Sequence, residues 1–239
     1  MSKEELLKLS AAAIGVELND RQVQQFVKYY EILVEWNSFM NLTGITEYEE
    51  VVQKHFVDSL VLSKAIDVNQ ITNLIDIGTG AGFPGIPLKI AYPHLKVTLL
   101  DSLQKRIKFL NEVVMQLGLE NVETIHGRAE DFAKPSMKRE SYDICVSRAV
   151  ANLASLSEYC LPYVKVEGYF VPYKSGKIDE ELANARKAVF VLGGKIEDEV
   201  KFNLPDSDIS RSLIKIRKVS GTPKKYPRKS GLATKEPIK

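Results

Sequence analysis

NLIDIGTGAGFPGIPLKI, residues 73–90, writes a strand, a glycine-rich turn and the start of a helix one after another. Leu74, Ile75 and Ile77 form a short apolar run with β-branched residues, ended by Gly78-Thr79-Gly80-Ala81-Gly82, the pattern of a buried parallel strand entering a tight loop. Pro84 and Pro87 suit a first helical turn, where no backbone N–H is needed. Three glycines at alternate positions let the backbone approach a ligand closely, and the helix behind them offers unpaired N–H groups.

The spacing discriminates between cofactor classes. A dinucleotide fingerprint, G-x-G-x-x-G, would need glycine at position 83, which is Phe83, so a nicotinamide oxidoreductase is disfavoured. The pattern is instead G-x-G-x-G through Gly78, Gly80 and Gly82, with Asp76 two residues ahead. It resembles motif I of S-adenosyl-L-methionine-dependent methyltransferases. Lys96 to Leu100 reads as the next strand and ends in Asp101, about 20 residues past the first glycine, where an acid takes the two ribose hydroxyls of an adenosine-containing cofactor. Capping of the next helix is the alternative role for Asp101.

Outward from this core, residues 1–66 read as a helical extension. Leu6, Leu7 and Leu9 mark a first helix. Asp20 is placed to cap a second, in which Val23, Phe26, Val27, Tyr30, Leu33 and Val34 keep one apolar face. Thr46-x-x-Glu49 reads as a capping box opening a third, on which His55 and Asp58 share a face, to hold a ligand or each other. The stretch WNSFMNLTGI, 36–45, mixes aromatic and polar residues, as either a substrate lip or an ordinary turn does.

After residue 73 strand and helix alternate, which predicts a doubly wound, Rossmann-like α/β sheet over 67–220. Further strands are expected at 122–125, 142–146 and 168–173, and helices at 153–163 and 177–192. Apolar runs at 195–203 and 211–218 flank Pro205 and polar turn residues, as in a terminal antiparallel hairpin.

Composition excludes several classes. The 239 residues are 44% hydrophobic, with no run near the ~18 apolar residues of a membrane span and no apolar leader segment after MSKEELLKL, so a cytoplasmic protein is expected. Cys145, Cys160 and three scattered histidines lack metal-ligand spacing, and no metal is expected. Net charge is +2, yet nine Lys or Arg and one acid fall from Lys215 onward. A basic tail, 221–239, is therefore expected to meet a polyanion.

The end of the fourth strand has no Asn/Asp-Pro-Pro-aromatic stretch, which disfavours exocyclic amino groups as methyl acceptors, and Cys145 sits in an apolar strand without an activating partner, which disfavours pyrimidine C5. Guanine N7 needs neither device, because its lone pair attacks a sulfonium methyl without prior loss of a proton.

WNSFMNLTGI, HFVDSL at 55–60, the glycine stretch, HGRAED at 126–131, VSRAV at 146–150 and the closing YPRKSGLATKEPI together resemble the bacterial small-subunit rRNA methyltransferase G family, also called glucose-inhibited division protein B, across nearly the whole chain. The resemblance implies a class I methyltransferase fold and transfer of a methyl group from S-adenosyl-L-methionine, which leaves as S-adenosyl-L-homocysteine. The implied acceptor is N7 of a guanine (guanosine 527 in the usual rRNA numbering) in the 530 loop of 16S rRNA, within the small (30S) subunit.

It also implies cofactor contacts from Gly78, Phe83, Ala129, Glu130 and Arg148, and it moves His55 and Asp58 toward the site. For Arg148 three roles stay open: the donor's carboxylate, an RNA phosphate, or a structural ion pair. Lys224, Lys225, Arg228, Lys229 and Lys235 are expected to follow an RNA backbone, with Tyr226 stacking on a base or packing on the fold. A monomer is the default expectation. The alternative function is a non-catalytic RNA-binding or ribosome-assembly protein that retains the pocket.

Overall fold

The computed structural model describes residues 1–238. Strands β1 (Asn73–Ile77), β2 (Lys96–Asp101), β3 (Val122–His126), β4 (Tyr142–Arg148) and β5 (Val164–Ser175) pair in parallel. Strands β6 (Gly194–Asn203) and β7 (Ser210–Lys218) add an antiparallel hairpin at one edge. The sheet order is β3-β2-β1-β4-β5-β7-β6. The chain thus builds outward from β1 to β3 and returns to pair β4 on the other side of β1. Such a switch point opens a crevice beyond the carboxyl ends of β1 and β4, where ligands of doubly wound sheets bind.

Because both faces of the parallel strands are covered, their side chains alternate between two apolar layers rather than between core and solvent. Leu74, Leu99, Ile144 and Val146 face α2 (Asp20–Met40), α5 (Gly85–Ala91) and α6 (Gln104–Gln116). Ile75, Ile77, Leu100 and Cys145 face α8 (Leu153–Cys160) and α9 (Asp179–Val191). Cys145 is a buried free thiol whose pKa burial pushes well up, as befits a core residue. Among the described residues no helix is long and apolar enough to cross a membrane.

The N-terminal helices pack into the first layer. Helix α1 (Lys3–Ala12) buries Leu7 and Ala11, and α2 buries Phe26, Tyr29 and Leu33. Two expected caps differ. Asn19, not Asp20, caps α2, exchanging hydrogen bonds with Gln22 (2.9 Å each way), which leaves Asp20 as the first helical residue. No capping box forms at Thr46: its carbonyl accepts from the Tyr30 hydroxyl (3.0 Å), and α3 (Tyr48–Val51) begins two residues later without a side-chain cap.

Helix α3 runs straight into a π-helical stretch, Val52–Val57, and on into α4 (Asp58–Leu60). A π-helical segment of this kind commonly marks a functional site. It carries His55, and Asp58 follows it. Helix α7 (Ala129–Phe132) follows β3, and α10 (Leu232–Lys235) is the last helix among the described residues.

Candidate cofactor and acceptor site

The glycine turn is held from three sides. Gly78 and Thr79 donate backbone N–H groups to the Leu100 carbonyl at 2.8 and 3.2 Å, and Gly80 donates to Asp101 Oδ2 at 2.9 Å. From the N-terminal layer, the Tyr29 hydroxyl donates to the Ala81 carbonyl. Gly78, Gly80 and Gly82 all have positive φ (70°, 62° and 97°), the region glycine enters without a Cβ penalty. A Cβ on Gly78 would strike Val150, and one on Gly82 would strike Ile86 and Tyr29, whereas Gly80 faces open space.

Asp76 lies beneath this turn, fully buried. Its Oδ2 accepts from the Thr79 hydroxyl (2.7 Å) and the Gly85 amide (2.9 Å), while Oδ1 has no partner. Burial pushes its pKa up to about 7. Asp101, 1% exposed, is also fully engaged: Oδ1 accepts from the Leu103 amide (2.9 Å), and Oδ2 takes both Gly80 and Arg106 (3.1 Å). It thus fixes the glycine turn and the bend into Leu103, while α6 itself starts without a side-chain cap.

Gly78, Leu100, Ser102, Ala129 and Glu130 line a cavity of about 300 Å³, closed on another side by Val150 and Asn152. That volume is within the range of small-ligand pockets. Apolar walls from Ile77, Leu100 and Ala129 beside polar groups from Ser102, Glu130 and Asn152 suit a nucleoside, which presents both a flat base and hydroxyls.

A second cluster forms around Arg148 at the end of β4. Its Nη1 donates to Asp58 Oδ2 (2.8 Å) and to the Lys54 carbonyl (3.1 Å), and the guanidinium lies 5.1 Å from the Phe83 ring centroid. His55 stacks on Phe83 with centroids 4.6 Å apart, and its Nε2 is 2.9 Å from Thr43 Oγ1. Burial, then the Arg148 charge, lowers the His55 pKa to about 4, so its ring is neutral at neutral pH. Arg211 Nε completes the cluster at 2.7 Å from Asp58 Oδ1.

The structure therefore gathers Gly78, Gly80, Gly82, Asp101, Ala129 and Glu130 at the turn and cavity, and His55, Asp58, Phe83 and Arg148 in the neighbouring cluster. Arg148 makes a structural ion pair here. Thr43 and Arg211 join the site through their contacts with His55 and Asp58. Thr43 belongs to the stretch with the composition of a substrate lip; Arg211 reaches Asp58 from a strand 153 residues away, a contact that carries no local sequence mark.

The tail divides. Lys224, Lys225, Lys229 and Lys235 are exposed. Arg228 instead grips the buried Glu158, with Nη2 to Oε2 at 2.6 Å and Nε to Oε1 at 3.0 Å, so its charge is spent inside the protein. Tyr226 packs into the second apolar layer.

Residues 22–211 match the family model described as rRNA small subunit methyltransferase G. A Lachnoclostridium phytofermentans protein named ribosomal RNA small subunit methyltransferase G is 60% identical over 95% of this chain and 93% of its own. One of the same name from Alkaliphilus metalliredigens is 52% identical, with both chains covered completely. Among solved structures, a SAM-dependent methyltransferase from Aquifex aeolicus superposes with a TM-score of 0.53 at 18% identity, over 70% of this chain and 93% of that one. At that identity the likeness shows the fold alone, a Rossmann-like core.

Proposed function

The chain belongs to the rRNA small subunit methyltransferase G family, and from that premise we propose that it transfers a methyl group from S-adenosyl-L-methionine to small-subunit rRNA. The finer target we assign is N7 of a guanine in the 530 loop of 16S rRNA, met within the small subunit.

The observation that carries this reading is the glycine turn at the β1/β4 switch point, facing Ala129 and Glu130 across the nucleoside-sized cavity, in a chain of this family. The residues fit the cofactor. Gly80 leaves open space where a side chain would stand, and the unpartnered Asp76 Oδ1 lies under the turn. Glu130 and Ser102 would hold the adenosine end. When bound, the cofactor supplies an electrophilic methyl on a positively charged sulfur.

What the chain itself contributes is orientation and exclusion of water. An attacking N7 lone pair needs no proton removed, so no general base is required. His55 is kept neutral and packed on Phe83, and Asp58 is covered by two guanidiniums, an arrangement that favours positioning over proton transfer. The exposed tail lysines supply a salt-sensitive hold on RNA.

The test is transfer of labelled methyl from S-adenosyl-L-methionine to small subunits from cells that lack this modification. Label in 16S rRNA is expected. Cofactor binding without any label in subunits or naked rRNA would overturn the proposal and favour the non-catalytic alternative.

A further inference from the structure

The basic C-terminal segment does more than carry lysines, because it packs along α8 and passes the cavity at Thr234. Arg139 Nη1 donates to the Tyr226 carbonyl at 2.8 Å, and Arg228 donates its backbone N–H to Glu158 Oε1 at 2.8 Å in addition to the guanidinium pair. Beyond that anchor, Gly231 N–H donates to Glu130 Oε1 (2.9 Å). The Ser155 hydroxyl donates to the Ala233 carbonyl (2.7 Å), and Thr234 Oγ1 lies 2.7 Å from the Tyr159 hydroxyl. Thr234 and Tyr159 line the same cavity as Gly78, Leu100, Ala129 and Glu130.

We propose that residues 228–235 form one wall of the adenosine pocket, with Thr234 and Tyr159 facing the nucleoside and Gly231 fixing the carboxylate of Glu130. The inference rests on reading this cavity as the cofactor site. Three independent contacts, to Glu158, Glu130 and Ser155, hold the segment where it closes the cavity, and none of them involves an exposed lysine. With Oε1 occupied by Gly231, Glu130 keeps Oε2 as the acceptor for a ligand donor. The segment therefore binds cofactor through its small and backbone groups, while Lys224, Lys225 and Lys229 project outward from the same strap.

The experiment is calorimetric titration of the full-length protein with S-adenosyl-L-homocysteine and with 5′-methylthioadenosine, which lacks the amino-acid end, alongside thermal unfolding. Thr234→Trp adds bulk at an exposed wall position, and Tyr159→Phe removes one hydroxyl. Thr234→Trp is expected to weaken both ligands by about tenfold or more, and Tyr159→Phe by about threefold, with unfolding midpoints unchanged. An equal loss for the two ligands assigns the effect to the nucleoside end. Gln24→Ala, on the exposed face of α2 and away from the cavity, is expected to bind as the parent does.

Parent-like affinity of both Thr234→Trp and Tyr159→Phe would overturn the proposal while leaving the cofactor reading intact. If the parent protein binds neither ligand, the cofactor reading itself fails, and the proposal with it.

Discussion

Asp58 accepts a hydrogen bond from Arg148 at 2.8 Å while 2% of its side chain is exposed, and its second oxygen is taken by Arg211 at 2.7 Å. One carboxylate thus joins the π-helical segment, the end of β4 and the start of β7. Replacing it leaves two guanidiniums without their counter-charge in a partly buried site. Asp58→Ala is expected to cost about 3–5 kcal/mol, the range for breaking a buried pair from one side. Urea unfolding measures it, and a loss below about 1 kcal/mol would mean that solvent already screens the pair.

The glycines of the turn should separate stability from binding. A methyl at position 82 meets Ile86 and Tyr29 at 2.7 Å, and one at 78 meets Val150 at 2.5 Å. Gly82→Ala is therefore expected to lower both unfolding stability and cofactor affinity. Gly80→Ala, facing open space, should cost only about 1 kcal/mol for its left-handed backbone, yet lose cofactor affinity by crowding the ligand side. Calorimetry combined with denaturant melts tests both.

His55 makes stability depend on pH. Its folded pKa of about 4 lies below the 6.5 of an ordinary imidazole, so between those values the unfolded chain takes up a proton that the folded one does not. Its contribution is fully present above about 6.5 and falls as pH drops toward 4, by at most roughly 3 kcal/mol. Asp76 acts in the opposite sense: its folded pKa of about 7, raised from 3.8, favours the folded state at low pH and is lost as pH rises through 7. The wild-type curve sums the two. The difference between wild type and His55→Gln isolates the histidine and should widen with pH from 4 to 6.5; a flat difference would contradict the shift.

The tail lysines and Arg228 should behave differently. Lys224→Ala/Lys225→Ala/Lys229→Ala is expected to weaken subunit binding and to reduce the salt slope by about 2, with thermal stability unchanged. Arg228→Gln should instead destabilise the fold, because Glu158, 1% exposed, loses its partner. Filter binding across a salt series and thermal melts distinguish them.

Much of the fold is legible in the sequence because apolar, β-branched runs such as those of β1 and β2 alternate with helical periods, which leaves few topologies. The hairpin is legible from Pro205 and polar turn residues between two apolar runs, and the glycine turn from its spacing. Cap choice is not: Asn19 and Asp20 are both good caps, and the exchange with Gln22 decides between them. At Thr46 the contact from Tyr30 outweighs a local capping pattern.

Site residues follow the same division. The glycines, Glu130 and Arg148 sit in motifs. Arg211, by contrast, reaches Asp58 across 153 residues, and Arg228 reaches Glu158 across 70. A basic residue promised to a buried acid looks, in sequence, like one free to meet RNA, because partner identity is a tertiary property.

Where the methyl group lands decides whether N7 of a 530-loop guanine is the acceptor. 16S rRNA from subunits treated with the protein and S-adenosyl-L-methionine is reduced with borohydride and cleaved with aniline, which breaks the chain at N7-methylguanine. A single new cleavage in the 530 loop is expected, dependent on the protein and absent without the methyl donor. Label incorporated at another atom or another site, with no cleavage in that loop, would contradict it.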